Sequence, residues 1–264
     1  MASRLGCVSP RDVAGNVKFG DMKGYKTDLN NRVIFSSEMK LAELIEADYS
    51  LLSILLRLDM QLPFGDVSVA ELCRKYDVSA ELFLMICQLY SSAEYVVDVE
   101  RLGANDLKFL VSYLRASHRF YLGEFLPSIA KGFDGVLEQC DAKQQAVVGR
   151  FYRGYCDEVK AHLEYEEQHL FPYVEKLSAG ELCGDSFQVG DVMDEHADIC
   201  DKIDDIKSIL IKYLPESCTI QQRYALLCDV FRMSDDLAKH TLIEIKILAP
   251  LARAVERRLN DAQE

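Results

Sequence analysis

The sequence predicts an all-α protein: an up-down-up-down four-helix bundle over residues 105–264, preceded by a leader and a small helical N-terminal domain over residues 1–100. Three observations predict it. From about residue 105 to residue 260 the apolar spacing is helical almost throughout, with three turn signals. Four helices joined by short links favour antiparallel neighbours. Finally, one phrase occurs twice: His162…Glu166…Leu170-Phe171-Pro172 and His240…Glu244…Leu248-Ala249-Pro250 both read H-x3-E-x3-L-x-P. An internal repeat of this kind implies a bundle with pseudo-twofold symmetry.

Taken in order, residues 1–36 form an irregular leader, with Gly6, Gly15, Gly20 and Gly24 spread through it and no sustained period. Ser36-Ser37 before Glu38 is a candidate helix start. Met39 to Leu58 has a helical apolar period, which Pro63-Phe64-Gly65-Asp66 breaks. Val69–Tyr76 and Ala80–Tyr90 follow as short helices around Asp77-Val78-Ser79. The pair has the layout of a helix-turn-helix. Its second helix, AELFLMICQLY, has no Lys or Arg to reach phosphates or base edges, so a packed hairpin is expected. Tyr95–Val99 suits a short strand or an extended link, and Gly103 with Asn105-Asp106 marks the start of the bundle. Inside it, turns are expected at Lys131–Gly135, at Ser178-Ala179-Gly180 and at Pro215-Glu216-Ser217. Asp141 with Gln144, and Thr219 with Gln222, read as helix N-caps with capping-box partners.

Composition narrows the function. The net charge of −13 argues against nucleic acid or an anionic membrane as the main partner, since phosphate binding needs a basic patch. No run approaches the roughly 18 apolar residues of a membrane span, and the first residues lack the apolar stretch of a secretory signal, so a cytoplasmic location is expected. The nine cysteines include no CxxC pair, which leaves zinc ribbons and thioredoxin-type redox motifs unsupported; reduced thiols are expected.

The chemistry lies in the histidines. All five are in the bundle half, and four are regularly placed: His118 to His162 is 44 residues, as is His196 to His240. In an antiparallel hairpin, residues at equal depth are equidistant from the turn. The midpoints of successive histidines are residues 140, 179 and 218, each at a turn signal or beside a helix cap. The four histidines are therefore expected at one level, one per helix. Glu166 and Glu244 follow His162 and His240 at i+4, one turn along the same helix face. Each half thus offers two imidazoles and one carboxylate. Imidazole suits iron, zinc or copper, and a carboxylate can bridge two metals. His118, His162, Glu166, His196, His240 and Glu244 are the candidate ligands of a two-metal site with open positions for a small ligand; iron is the usual metal of carboxylate-bridged bundle sites. Glu164, Glu167 and Glu175 are expected on a solvated face or behind the ligands. His169 completes a Glu-x-x-His phrase with Glu166, but the second copy has Ile247 there, so His169 is expected outside the ligand set.

At these residues the chain resembles the hemerythrin-like superfamily, and most of all its di-iron proteins for the repair of iron centres. The resemblance rests on the lone His118, on His162-Leu163-Glu164-Tyr165-Glu166-Glu167 with Leu170-Phe171-Pro172, on Glu195-His196, and on His240 with Glu244 and Pro250; it covers about residues 105–260. It implies two iron ions, oxo-bridged, on those four histidines, with Glu166 and Glu244 both bridging. It further implies work under nitrosative or oxidative stress: iron donation to damaged iron–sulfur proteins, or chemistry on O2, NO or peroxide, with a homodimer as one possible assembly. The alternative is a module that binds or senses O2 or NO and uses the N-terminal helices as its output. Oxygen-carrying relatives use a fifth histidine in an H-x3-H phrase, which this chain lacks. Residues 39–90 are faintly similar to the family's small N-terminal domain, but the adjacent cysteines of that domain are missing from Leu58–Gly65.

Overall fold

A computed structural model describes residues 33–182, 189–213 and 219–262, without the side chains of 189–198 and 200. Most of the leader and the turn signal at Pro215–Ser217 lie outside the described residues. The N-terminal part contains α1 (Leu41–Ala47), α2 (Leu52–Arg57), α3 (Val69–Lys75) and α4 (Ala80–Ser91). The helix expected from Met39 to Leu58 is broken at Asp48, which has extended backbone angles; its carboxylate accepts hydrogen bonds from the Ser50 amide at 2.9 Å and the Ser91 hydroxyl at 2.5 Å. Local side-chain capping there competes with helix continuation. Helix α1 starts at Leu41 rather than beside Ser36-Ser37, because the Leu41 amide is tied to the Val67 carbonyl. Tyr95–Val99 is a link without regular structure, and the described residues contain no strand, only isolated bridge positions such as Lys40 with Ser68.

Four long arms follow. The first is α5 (Ala104–Phe120) continued by α6 (Leu126–Leu137), the second α7 (Ala142–Tyr165) continued by α8 (Phe171–Ser178). The third is α9 (Val189–Tyr213), and the fourth α10 (Ile220–Ile243) continued by α11 (Ala249–Asp261). Each arm packs on its neighbours in sequence and the fourth returns to the first, giving an antiparallel ring of four. Asp141 and Thr219 cap α7 and α10 reciprocally with Gln144 and Gln222. Gly180, at φ +81°, ends α8 by letting the Gly180 and Glu181 amides reach back to Leu177 and Lys176.

The turn expected at Lys131–Gly135 is not there; those residues are inside α6, which turns at Gln139-Cys140 instead. Gly132 is a packing glycine. A Cβ on it would lie 3.2 Å from the Leu226 side chain, so its absence lets α6 and α10 approach closely.

The core is in two parts. One joins α1–α4 to the near end of the bundle through Leu44, Ile54, Leu82, Leu110, Val174 and Ile247; the other fills the far end around Tyr121, Phe133, Val159, Ile203 and Val230. The first stops at Leu114 on α5 and resumes at Leu170 and Ile243 on the second and fourth arms. The second begins at Tyr121 and ends at Leu163 and Leu237. The buried polar residues His118, His162, Glu166, His240 and Glu244 occupy the gap between these limits. Two apolar blocks therefore clamp one polar layer.

One ion pair ties the N-terminal helices to the fourth arm. The Arg57 guanidinium of α2 meets the Asp236 carboxylate of α10, with side chains 1% and 10% exposed. Removing one partner of a buried pair leaves an uncompensated charge. Arg57→Ala is expected to destabilise the fold by about 3–5 kcal/mol, whereas replacing both residues by apolar side chains is expected to be near neutral. Denaturant titrations of the three proteins check this; an Arg57→Ala loss below 1 kcal/mol would show that the pair contributes little.

Candidate metal centre

The polar layer is built at irregularities that the repeat encodes. Between α7 and α8 the chain forms one π-helical turn, Glu166–Leu170, and between α10 and α11 another, Glu244–Leu248. In each the residue before the proline donates its amide five residues back: Phe171 to Glu166, Ala249 to Glu244. Pro172 and Pro250 lack an amide and crowd the carbonyl four residues back, which a widened turn relieves. A third π turn, Tyr121–Phe125, precedes Pro127 on the first arm. Each π turn begins three or four residues after a histidine: His118, His162 or His240. The histidines thus end regular helices, and the wider turns that follow set the path of the next segment.

The geometry brings most of the expected ligands together. One ligand atom from each of His118, Glu166, His240 and Glu244 lies within 4.8 Å of all the others. His118 Nε2 is 3.4 Å from His240 Nε2. Glu166 uses both oxygens: Oε1 lies 3.0 Å from His162 Nε2, and Oε2 lies 3.2 Å from His118 Nε2. Glu244 Oε1 lies 3.1 Å from His240 Nε2. The i,i+4 pairs therefore meet as their spacing requires, and Glu166, wholly buried, spans two imidazoles of different arms. His196 falls on α9, and its side chain lies outside the described residues.

His169 is elsewhere. It is exposed, its Nδ1 lies 3.0 Å from the Tyr165 carbonyl, and its ring stacks on Tyr165 at 4.4 Å. In an ordinary helix it would share the Glu166 face; the wider π turn carries it around to solvent.

Burial would hold the His118 imidazole neutral. The hydrogen-bonding carboxylates of Glu166 and Glu167 outweigh burial and push its pKa up to about 9. Two buried carboxylates facing buried imidazoles, in an otherwise apolar section, need cationic partners. This donor set of nitrogen and carboxylate oxygen fits a transition-metal ion.

Of the two places expected for Glu167, a solvated face or behind the ligands, the structure selects the second, while the aromatic neighbours of the histidines were not legible in the sequence. Glu167 Oε1 is 3.0 Å from His118 Nδ1, so Glu167 stands directly behind a candidate ligand. Its carboxyl is pulled below the usual range by that hydrogen bond and by one from Arg115, against partial burial. Phe171 stacks on His118 with ring centroids 5.1 Å apart, and Tyr121 sets its ring edge against His240 at 5.6 Å. The signal for the π turns was present: Pro172 and Pro250 each follow a histidine by ten residues, and Pro127 follows His118 by nine.

A cavity of about 20 Å³ adjoins the layer, lined by Val159, His162, Leu163, Ile199, Leu237, His240 and Thr241. A single water needs roughly 10–15 Å³ on this measure, so only a very small molecule fits.

The family model described as "Hemerythrin HHE cation binding domain" matches residues 111–252, which is 142 of the 264 residues. No curated protein matches the chain. Among the described residues, no helix is long and apolar enough to cross a membrane.

Proposed function

This chain belongs to the hemerythrin HHE cation-binding domain family, and on that footing we propose that its bundle holds a pair of iron ions and acts in the repair of damaged iron–sulfur clusters under nitrosative or oxidative stress, in the cytoplasm. The observation that carries the reading is Glu166, whose two oxygens face two imidazoles, His162 and His118, one each. A carboxylate so placed is arranged to bridge two metals. His118 and His240, with Nε2 atoms 3.4 Å apart, would share one of them. His162 and His196 would hold the other, and Glu244 would join Glu166 as the second bridge.

Bound iron would supply ligand exchange and one-electron chemistry. The protein's part is separate. Two apolar cores seal the layer from bulk water, which keeps the charges of Glu166 and Glu244 undiluted by solvent. The small cavity beside His162 and His240 would suit a diatomic such as O2 or NO, or a peroxide at its limit.

The full chain, purified in air after iron-replete expression, is expected to contain about two irons and to absorb in the visible. It is expected to pass iron to an apo iron–sulfur acceptor. One metal per chain, or zinc alone, counts against the pair; retention of all iron in the presence of the acceptor counts against donation.

A second reading, a module sensing O2 or NO, is favoured by one contact path. Tyr121 touches His240 and donates to the Asp236 carbonyl at 3.3 Å, and Asp236 pairs with Arg57 of the N-terminal helices. Ligand-dependent protection of α1–α4 in hydrogen exchange, with iron retained, would select this reading over donation.

A further inference from the structure

We propose that Glu167, held by Arg115, which Glu175 anchors in turn, is a positioning residue that fixes the His118 ring for metal binding; this rests on the metal-pair reading above. Neighbouring positions on a helix point about 100° apart, so Glu167 cannot join Glu166 in the centre of the layer. It reaches around the rim instead, to the far nitrogen of His118.

With Glu167 ionised, His118 Nδ1 donates to Oε1 at 3.0 Å. The hydrogen is then fixed on Nδ1. Nε2, 3.2 Å from Glu166 and 3.4 Å from His240, is directed into the layer as the ligand atom. The flat face of the ring is held separately by Phe171, stacked at 5.1 Å and 26°. Arg115 secures both holders. Its Nε donates to Glu167 Oε2 at 2.9 Å, its terminal nitrogens pair with both oxygens of Glu175, and its guanidinium lies 5.5 Å from the centre of the Phe171 ring. One hydrogen bond fixes the ring's rotation and one stack fixes its plane.

A purely structural role does not account for this arrangement. The Arg115, Glu167 and Glu175 side chains are 29%, 35% and 43% exposed, and ion pairs so open to water stabilise a fold little. The effect falls on the buried imidazole that Glu167 touches, His118. The buttress is built once, since the second copy of the repeat has Ile245 in the place of Glu167.

The test is Co2+ binding to the full chain in competition with a chelator, with the cobalt visible bands recorded and unfolding of the metal-free proteins measured. Losing an outer hydrogen-bond partner typically costs 10–100-fold in affinity. Glu167→Ala is expected to weaken at least one of two cobalt ions by that factor and shift its bands, with metal-free stability unchanged. Glu167→Gln keeps an acceptor for Nδ1–H and is expected to recover most of the affinity; Arg115→Ala should fall between. Wild-type affinity in Glu167→Ala overturns the proposal. Equal losses in the Ala and Gln variants also overturn it, by showing that charge rather than ring position matters. Failure of the unaltered chain to bind cobalt or iron at all overturns the metal-pair reading beneath it, and is visible before any variant is made.

Discussion

Glu166→Ala is expected to lower bound iron from about two per chain to well under one, and Glu244→Ala to do nearly the same, while Glu167→Ala keeps close to two at saturating iron. The difference follows from what each carboxylate touches. Glu166 is fully buried and its two oxygens face His162 and His118, so on the metal-pair reading its removal would take a ligand from both metals at once. Glu244 is 5% exposed and sits one turn from His240, facing the same layer. Glu167 touches only the outer nitrogen of His118, and an outer-partner loss of 10–100-fold is overcome by raising the iron concentration. Metal analysis of the proteins held in equilibrium with saturating iron reads the stoichiometry, and circular dichroism shows whether the bundle survives. Equal iron loss in all three variants would refute the division into bridging and positioning groups.

The candidate site was legible in the sequence because its candidate ligands come in a repeat. Two H-x3-E phrases fix their own local geometry, since i,i+4 places both groups on one face whatever the tertiary packing. The equal 44-residue separations then set the level, and the described histidines lie where those separations put them. Signals that depend on a neighbour were harder to read. Gly132 and Gly135 suggest a turn in isolation, but Gly132 is a contact with Leu226, 94 residues away, and no local rule foresees that. Asp48 breaks the helix expected from Met39 to Leu58 because Ser50 and Ser91 both bond its carboxylate, and one of those partners is also distant. For Glu167 the sequence leaves open a solvated face or a place behind the candidate ligands, and the approach of α5, which brings His118 within reach, decides for the second. The π turns are a different case, since their cause is local. The three prolines at similar distances after three histidines encode them, and ordinary helical periodicity hides a turn that is one residue wider.

His240→Ala is expected to empty most of the site, and His169→Ala to leave about two irons and an unchanged visible spectrum, although His169 lies far nearer in sequence to Glu166. His240 is 3% exposed, 3.4 Å from His118 and 3.1 Å from Glu244, so its loss leaves a metal under-coordinated and both of those neighbours without their partner. The vacated space is walled by Tyr121, which has no second imidazole to offer. His169 points the other way: its ring stacks on Tyr165 and its Nδ1 faces a backbone carbonyl at the surface. A ferritin-like arrangement would make a ligand of that Glu-x-x-His histidine. The π turn that starts at Glu166 forbids it by swinging residue 169 off the ligand face. The two alternatives therefore predict opposite outcomes from the same pair of variants. Iron content and visible spectra of the purified proteins, loaded identically, decide between them. Retention of iron in His240→Ala together with its loss in His169→Ala would mean that the metals sit around the Glu-x-x-His phrase and not in the layer between the two cores.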